Sequence, residues 1–156
     1  MRAEKMRTAP HPMALRIAQF VAEGRIIKNK WHGKDEQGRE LACLLGAADP
    51  NIKSSDDCPA DLMPQWLAFL TTCINDEVSE KNRPEIIQRY AELVVRWHVL
   101  DDAAWKRCEF KKDKQLDATI LAWCDLPQSA QTADRTESDW DKTATLCLDS
   151  IEAEIT

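Results

Sequence analysis

The residues in this 156-residue chain with the chemistry to hold a soft metal or attack a substrate are six cysteines, Cys43, Cys58, Cys73, Cys108, Cys124 and Cys147, and three histidines, His11, His32 and His98. Structural zinc sites draw their ligands from pairs a few residues apart, and no two of these residues lie that close. No metal and no cofactor is therefore expected. A nucleophilic pair is the other chemistry on offer, with Cys43 as thiol and His32 or His98 as base. A nucleophile also needs a depressed pKa, an orienting group and access, whereas Cys43 sits in the apolar run Leu41 to Ala48. Six cysteines without a Cys-x-x-Cys pair read most simply as buried thiols in a reducing, cytoplasmic setting.

Other constellations carry less. Asp56-Asp57 and Asp101-Asp102 are adjacent, and neighbours on a helix point about 100° apart, so they suit helix caps and loops better than acid/base work. The four glycines make neither a P-loop nor a dinucleotide fingerprint. The six tryptophans outnumber three phenylalanines and one tyrosine, and Trp is enriched where proteins bury a shared surface. Trp97 and Trp140 fall on apolar stripes and are expected in the core. Trp31, Trp66 and Trp123 are less clearly in phase and are candidate exposed anchors. Trp31 stands among Lys28, Lys30, His32 and Lys34. That cluster suits an acidic protein or a nucleic acid, or else a Trp folded onto the core beneath snorkelling lysines.

Charge is distributed unevenly. Residues 1–34 sum to +6, residues 35–124 to −6 and residues 125–156 to −6, within a net charge of −6. An acidic C-terminal segment disfavours direct nucleic-acid binding and favours a partner protein or nucleoprotein complex with a basic surface. Asp134, Glu137, Asp139, Asp141, Asp149, Glu152 and Glu154 would supply the acidic face. The bland alternative is a solubilising surface.

These side chains must be positioned by helices. Few glycines and prolines argue against an all-β chain. Pro12 opens a helix bearing Met13, Ile17, Phe20 and Val21 and closed by Gly24. Periodicity lapses from Arg25 to Gly38, where a turn leaves room for a small hairpin within residues 25–45. Leu41 to Ala48 is apolar all round and leans to helix, since Ala and Leu dominate. Asp49 to Asp57 is a loop. Pro64 to Ile74 is a helix, and Asn82 with Glu85 resembles a capping box before the stripe Ile86, Ile87, Tyr90, Leu93, Val94 and Trp97. Asp101-Asp102 starts one long or two broken helices through Cys124. Pro127 stops it, Gln128 to Thr136 is a linker, and Ser138 caps a last helix over about residues 138–156. The expectation is an all-α, single-domain bundle of five or six helices spanning 1–156.

No run of eighteen apolar residues occurs, so no membrane span is expected. The basic stretch Met1 to Ala9 leads into a segment broken by Arg16, Gln19, Glu23 and Arg25, which does not read as a secretory signal.

Trp31, Gly38 and Cys43-Leu44-Leu45-Gly46-Ala47, followed by Cys58-Pro59-Ala60-Asp61-Leu62-Met63-Pro64-Gln65-Trp66-Leu67, resemble a loose group of small, uncharacterised bacterial and phage-borne helical proteins. The resemblance covers the middle of the chain and implies no activity or catalytic residue. It implies a context, because small acidic proteins of mobile elements, anti-CRISPR and other anti-defence proteins among them, often act by binding and blocking a host protein. The expected function is therefore non-enzymatic binding and inhibition, with self-association allowed. A small cysteine-dependent enzyme or redox protein using Cys43 is the alternative.

Overall fold

The computed structural model describes residues 8–124 and 133–156, with side chains described throughout except at 119–124 and 133–138. Five α-helices and one two-stranded hairpin follow in the order α1 Pro12–Ala22, β1 His32–Lys34, β2 Glu40–Ala42, α2 Gln65–Glu77, α3 Arg83–Val94, α4 Asp102–Cys124 and α5 Ala133–Ile155. The expected helical bundle with a small hairpin is what forms. α5 is the hub. It packs against α4, α3 and α2, while α1 lies on α3 and on a 3-10 turn at Gly46–Ala48.

Local chemistry sets the ends of α1. His11 Nδ1 accepts from the Met13 N–H at 3.1 Å, capping the first turn opened by Pro12. Gly24, at φ +67°, lets the chain reverse so that Arg25 N–H reaches the Phe20 carbonyl. The hairpin is antiparallel, with His32 opposite Ala42 and Lys34 opposite Glu40. Its turn is held by Asp35, whose Oδ1 accepts from the N–H groups of Gln37 and Arg39.

Four local expectations need correction. Leu41 to Ala48 is not a helix: Leu41 and Ala42 complete β2 and the rest closes into the 3-10 turn. Ala42 also bridges Ile26 on its other side, and a Cβ on Gly46 would collide with the Trp31 carbonyl, so tertiary pairing overrides the Ala/Leu helix preference. The Asn82 capping box does not form, because Asn82 Nδ2 donates instead to Asp141 at 2.8 Å. Trp97 lies beyond α3 in a separate 3-10 turn, Trp97–Val99. Ser138 is no cap, since α5 begins at Ala133 and also takes in the last residues of the expected linker. Pro127 lies outside the described residues.

The core runs along the inner faces of α1, α2, α3 and α5, with Ile17, Leu44, Leu67, Ile74, Tyr90, Leu148 and Ile151 shielded from solvent. Tyr90, Trp97, Trp105 and Trp66 meet edge to face in series at centroid separations of 5.3, 5.6 and 6.2 Å, a file of rings from the core to the half-buried Trp66. Their polar atoms are matched. Trp97 Nε1 donates to the Leu62 carbonyl, and Thr71 donates to the Leu67 carbonyl, so the Tyr90 hydroxyl is the donor in its 2.8 Å bond to Thr71. Among the described residues, no helix is long and apolar enough to cross a membrane.

Candidate functional site

One buried amide organises the surroundings of Cys43. Asn75, on the inner face of α2 and wholly buried, accepts from the Leu44 N–H at 3.1 Å and donates to the Ile27 carbonyl and to Asp76 Oδ1, both at 2.8 Å. It thereby ties α2 to the segments before and after the hairpin. Asp76 Oδ1 also accepts from the N–H of Asn29, which stands at φ +62°. A non-glycine in that region is uncommon, and the Asp76 bond holds it there. Between these segments lies a cleft of about 240 Å³ lined by Asn29, Lys30, Trp31, Cys43, Thr72 and Asp76.

The structure brings His32 and Cys43 into one neighbourhood, since a Cβ on Gly46 would stand 3.3 Å from both Cys43 Sγ and His32 Cε1. Their hydrogen bonds go elsewhere. Cys43 Sγ accepts from the Gly46 N–H at 3.3 Å, and His32 Nε2 lies 2.8 Å from the Ile52 carbonyl, which can only accept. Burial pushes the Cys43 thiol up, with Asp76 adding to the rise. That is the opposite of an activated nucleophile. His98 sits in the 3-10 turn after α3, with Nδ1 buried and unpartnered. Cys58 and Cys147 are pushed up to about 12 by burial and Cys108 to about 11, and the five described cysteines are free thiols. No group of three or more potential metal ligands occurs among the described residues.

No protein-family model matches the chain, nor does any curated protein or solved structure. Trp31 and Trp66 are half-buried and packed on the core rather than freely exposed, and Lys112 lies over the Trp66 ring at 5.2 Å. The side chains of Trp123, Asp134 and Glu137 lie outside the described residues. Trp140 is half-buried against the core, as its phase implied.

Folding also changes the acidic face. Asp141 points inward as a cap: its Oδ1 accepts from the Ser79 N–H at 2.8 Å and its Oδ2 from Ser79 Oγ at 2.5 Å and Asn82 Nδ2 at 2.8 Å. Asp149 and Glu152 share the guanidinium of Arg89 at 2.6 and 2.8 Å, and Glu154 takes Arg107 through two hydrogen bonds. The Arg107 bonds hold the Glu154 carboxyl below the usual range. Asp139 is half-buried. Four of the seven expected acidic contacts are thus engaged within the chain. A groove of mixed charge with a small acidic excess lies along α3, where Glu85, Glu92 and Glu152 of α5 face Arg89 and Arg96.

Sequence reading missed Asp76, Thr72 and Asn75. The signal was present in part, because 69, 72 and 76 repeat at helical spacing and place Phe69, Thr72 and Asp76 on one face of α2. Nothing in the sequence says that residues 29–31 fold against that face.

Proposed function

We propose that this chain is a non-enzymatic binding protein that blocks a host protein or nucleoprotein complex with a basic surface. The observation that carries the reading is the fate of the basic N-terminal charges. Arg16 pairs with Glu40, Arg25 with Glu23 and Glu40, and Lys28 with Glu80. Arg25 is further occupied over the Phe20 ring at 3.9 Å. Three of the five described cations of this stretch are thus paired within the chain, which weakens the footprint a phosphate backbone needs and leaves the net acidic charge for a partner to meet. The resemblance to proteins of mobile elements supports an inhibitory role of the anti-CRISPR or other anti-defence type.

The contact is assigned to the α3–α5 groove, with Glu85 and Glu92 as its exposed acids beside Arg96, and with Asp149 and Glu152 holding Arg89 behind them. The deciding experiment is capture of partners from a host lysate by the tagged chain at low salt and at about 0.5 M salt, where the screening length is only a few ångströms. The double variant Glu85→Lys, Glu92→Lys is the control, chosen because neither residue holds α5 in place. A basic partner captured at low salt and lost both at high salt and in the variant is the expected result. Capture indifferent to both would defeat the assignment. The cysteine-enzyme alternative predicts fast thiol labelling near neutral pH; labelling that appears only on denaturation would dispose of it.

A further inference from the structure

The cleft beside Cys43 places two oxygen acceptors, Asp76 and Thr72, beside the aromatic Trp31, with Asn29 and Lys30 completing its lining. Asp76 Oδ1 is engaged by the Asn29 N–H and by Asn75 Nδ2, which fixes the carboxylate, while Oδ2 has no partner among the described residues. Thr72 donates its hydroxyl hydrogen to the Phe69 carbonyl at 2.6 Å, so it presents a ligand with lone pairs. Cys43 is a neutral thiol whose sulfur already accepts from Gly46, and Trp31 is an electron-rich aromatic residue. A space of about 240 Å³ is below the range usual for nucleotide or cofactor sites and suits one side chain.

We propose that this cleft receives the guanidinium of an arginine side chain carried by the partner, with Asp76 Oδ2 and Thr72 Oγ1 accepting its N–H groups and Trp31 lying against it. Arginine fits better than lysine because a planar, five-donor group can meet two acceptors and a flat ring at once. Lys30, the cation lining the cleft, opposes such a ligand and makes its own removal diagnostic. The inference rests on the reading of the chain as a binder of basic partners and supplies a specific contact that salt screens less than the exposed rim.

The test uses acetyl-Gly-Arg-Gly-amide as probe, titrated into the full chain while the Trp31 indole N–H resonance, assigned with Trp31→Phe, is followed by NMR. Saturable movement of that resonance is expected. The same tripeptide with citrulline, which keeps shape and loses charge, should bind about tenfold more weakly, as should Asp76→Asn with the arginine peptide. Because Asp76 also supports the backbone at Asn29, Asp76→Asn could fail through folding alone; Lys30→Gln cannot be explained that way and should bind the probe about threefold more tightly. Equal binding of the citrulline peptide, or a Lys30→Gln variant no tighter than the parent, overturns the proposal. Free L-arginine binding more tightly than the peptide would assign the cleft to the amino acid and overturn the partner source. If the probe fails while lysate capture stays salt-sensitive, only this inference falls; if the probe binds and no basic partner is captured, only the proposed function falls.

Discussion

At the scale of single residues, Asn75 shows how one polar side chain can organise a fold. Replacing it by Ala would leave the Leu44 N–H and the Ile27 carbonyl unpaired beside a wholly buried position. Each such orphan costs about 1–3 kcal/mol, so Asn75→Ala should lower stability by about 3 kcal/mol, read as a fall in the urea midpoint. A loss under about 0.5 kcal/mol would show that water replaces the amide. The thiols make a second prediction. A free thiol releases its proton near 9.0, whereas burial holds Cys147 and Cys58 protonated until about 12. Across that window the unfolded chain binds fewer protons than the folded one, so stability must fall as pH rises. The fall should be shallower in Cys147→Ala, measured as urea midpoints across the same window against the parent, and an unchanged slope would count against buried thiols as its cause. The types of these residues were legible in the sequence. Burial was legible where a residue kept phase with an apolar stripe, as Cys147 does on α5, whereas Trp97 is buried from a separate turn beyond the stripe it was assigned to.

At the scale of elements, the attachment of α5 divides into one strong tie and several weak ones. Asp141 accepts three hydrogen bonds from Ser79 and Asn82 in the turn between α2 and α3, and charge-assisted bonds in a half-buried place are the costly kind to lose. Asp141→Ala should therefore cost about 2–3 kcal/mol. Arg89, bound to Asp149 and Glu152 at the surface, should cost under about 1 kcal/mol when changed to Ala, since exposed ion pairs trade Coulomb energy against side-chain entropy. Chemical denaturation of the two variants side by side checks the order, and Arg89→Ala proving the more damaging would reverse the account. The helices themselves were readable from their periodicity because each buries one face: α1, α2 and α3 start within a residue or two of their prolines. The segment 41–48 was not readable, since an element buried all round has no period to show.

At the scale of the molecule, folding pairs several of the described charges of the basic and acidic blocks within the chain. Arg16 and Arg25 meet Glu40 of the hairpin and Glu23 just after α1, and Asp149 and Glu154 of α5 meet Arg89 of α3 and Arg107 of α4, so charges distant in sequence are paired on folding. The binding of a basic partner should consequently depend on salt through the α3 rim far more than through α5. Charge reversal at Glu85 and Glu92 is expected to cost more affinity than reversal at Glu137, and equal losses would return the acidic C-terminal helix to the leading place. Composition and periodicity, which are properties of local spacing, determined by themselves the helical class, the apolar stripes of α1, α2, α3 and α5, and the prolines, the Asp101 cap and the glycine stop that bound the elements. Only tertiary structure decided which charges remain free, where Trp31 and Cys43 lie and what stands opposite them. Asn29, Cys43 and Asp76 are separated by tens of residues, and no local pattern encodes a cleft that exists only when the loop before the hairpin, the turn after it and α2 are packed together.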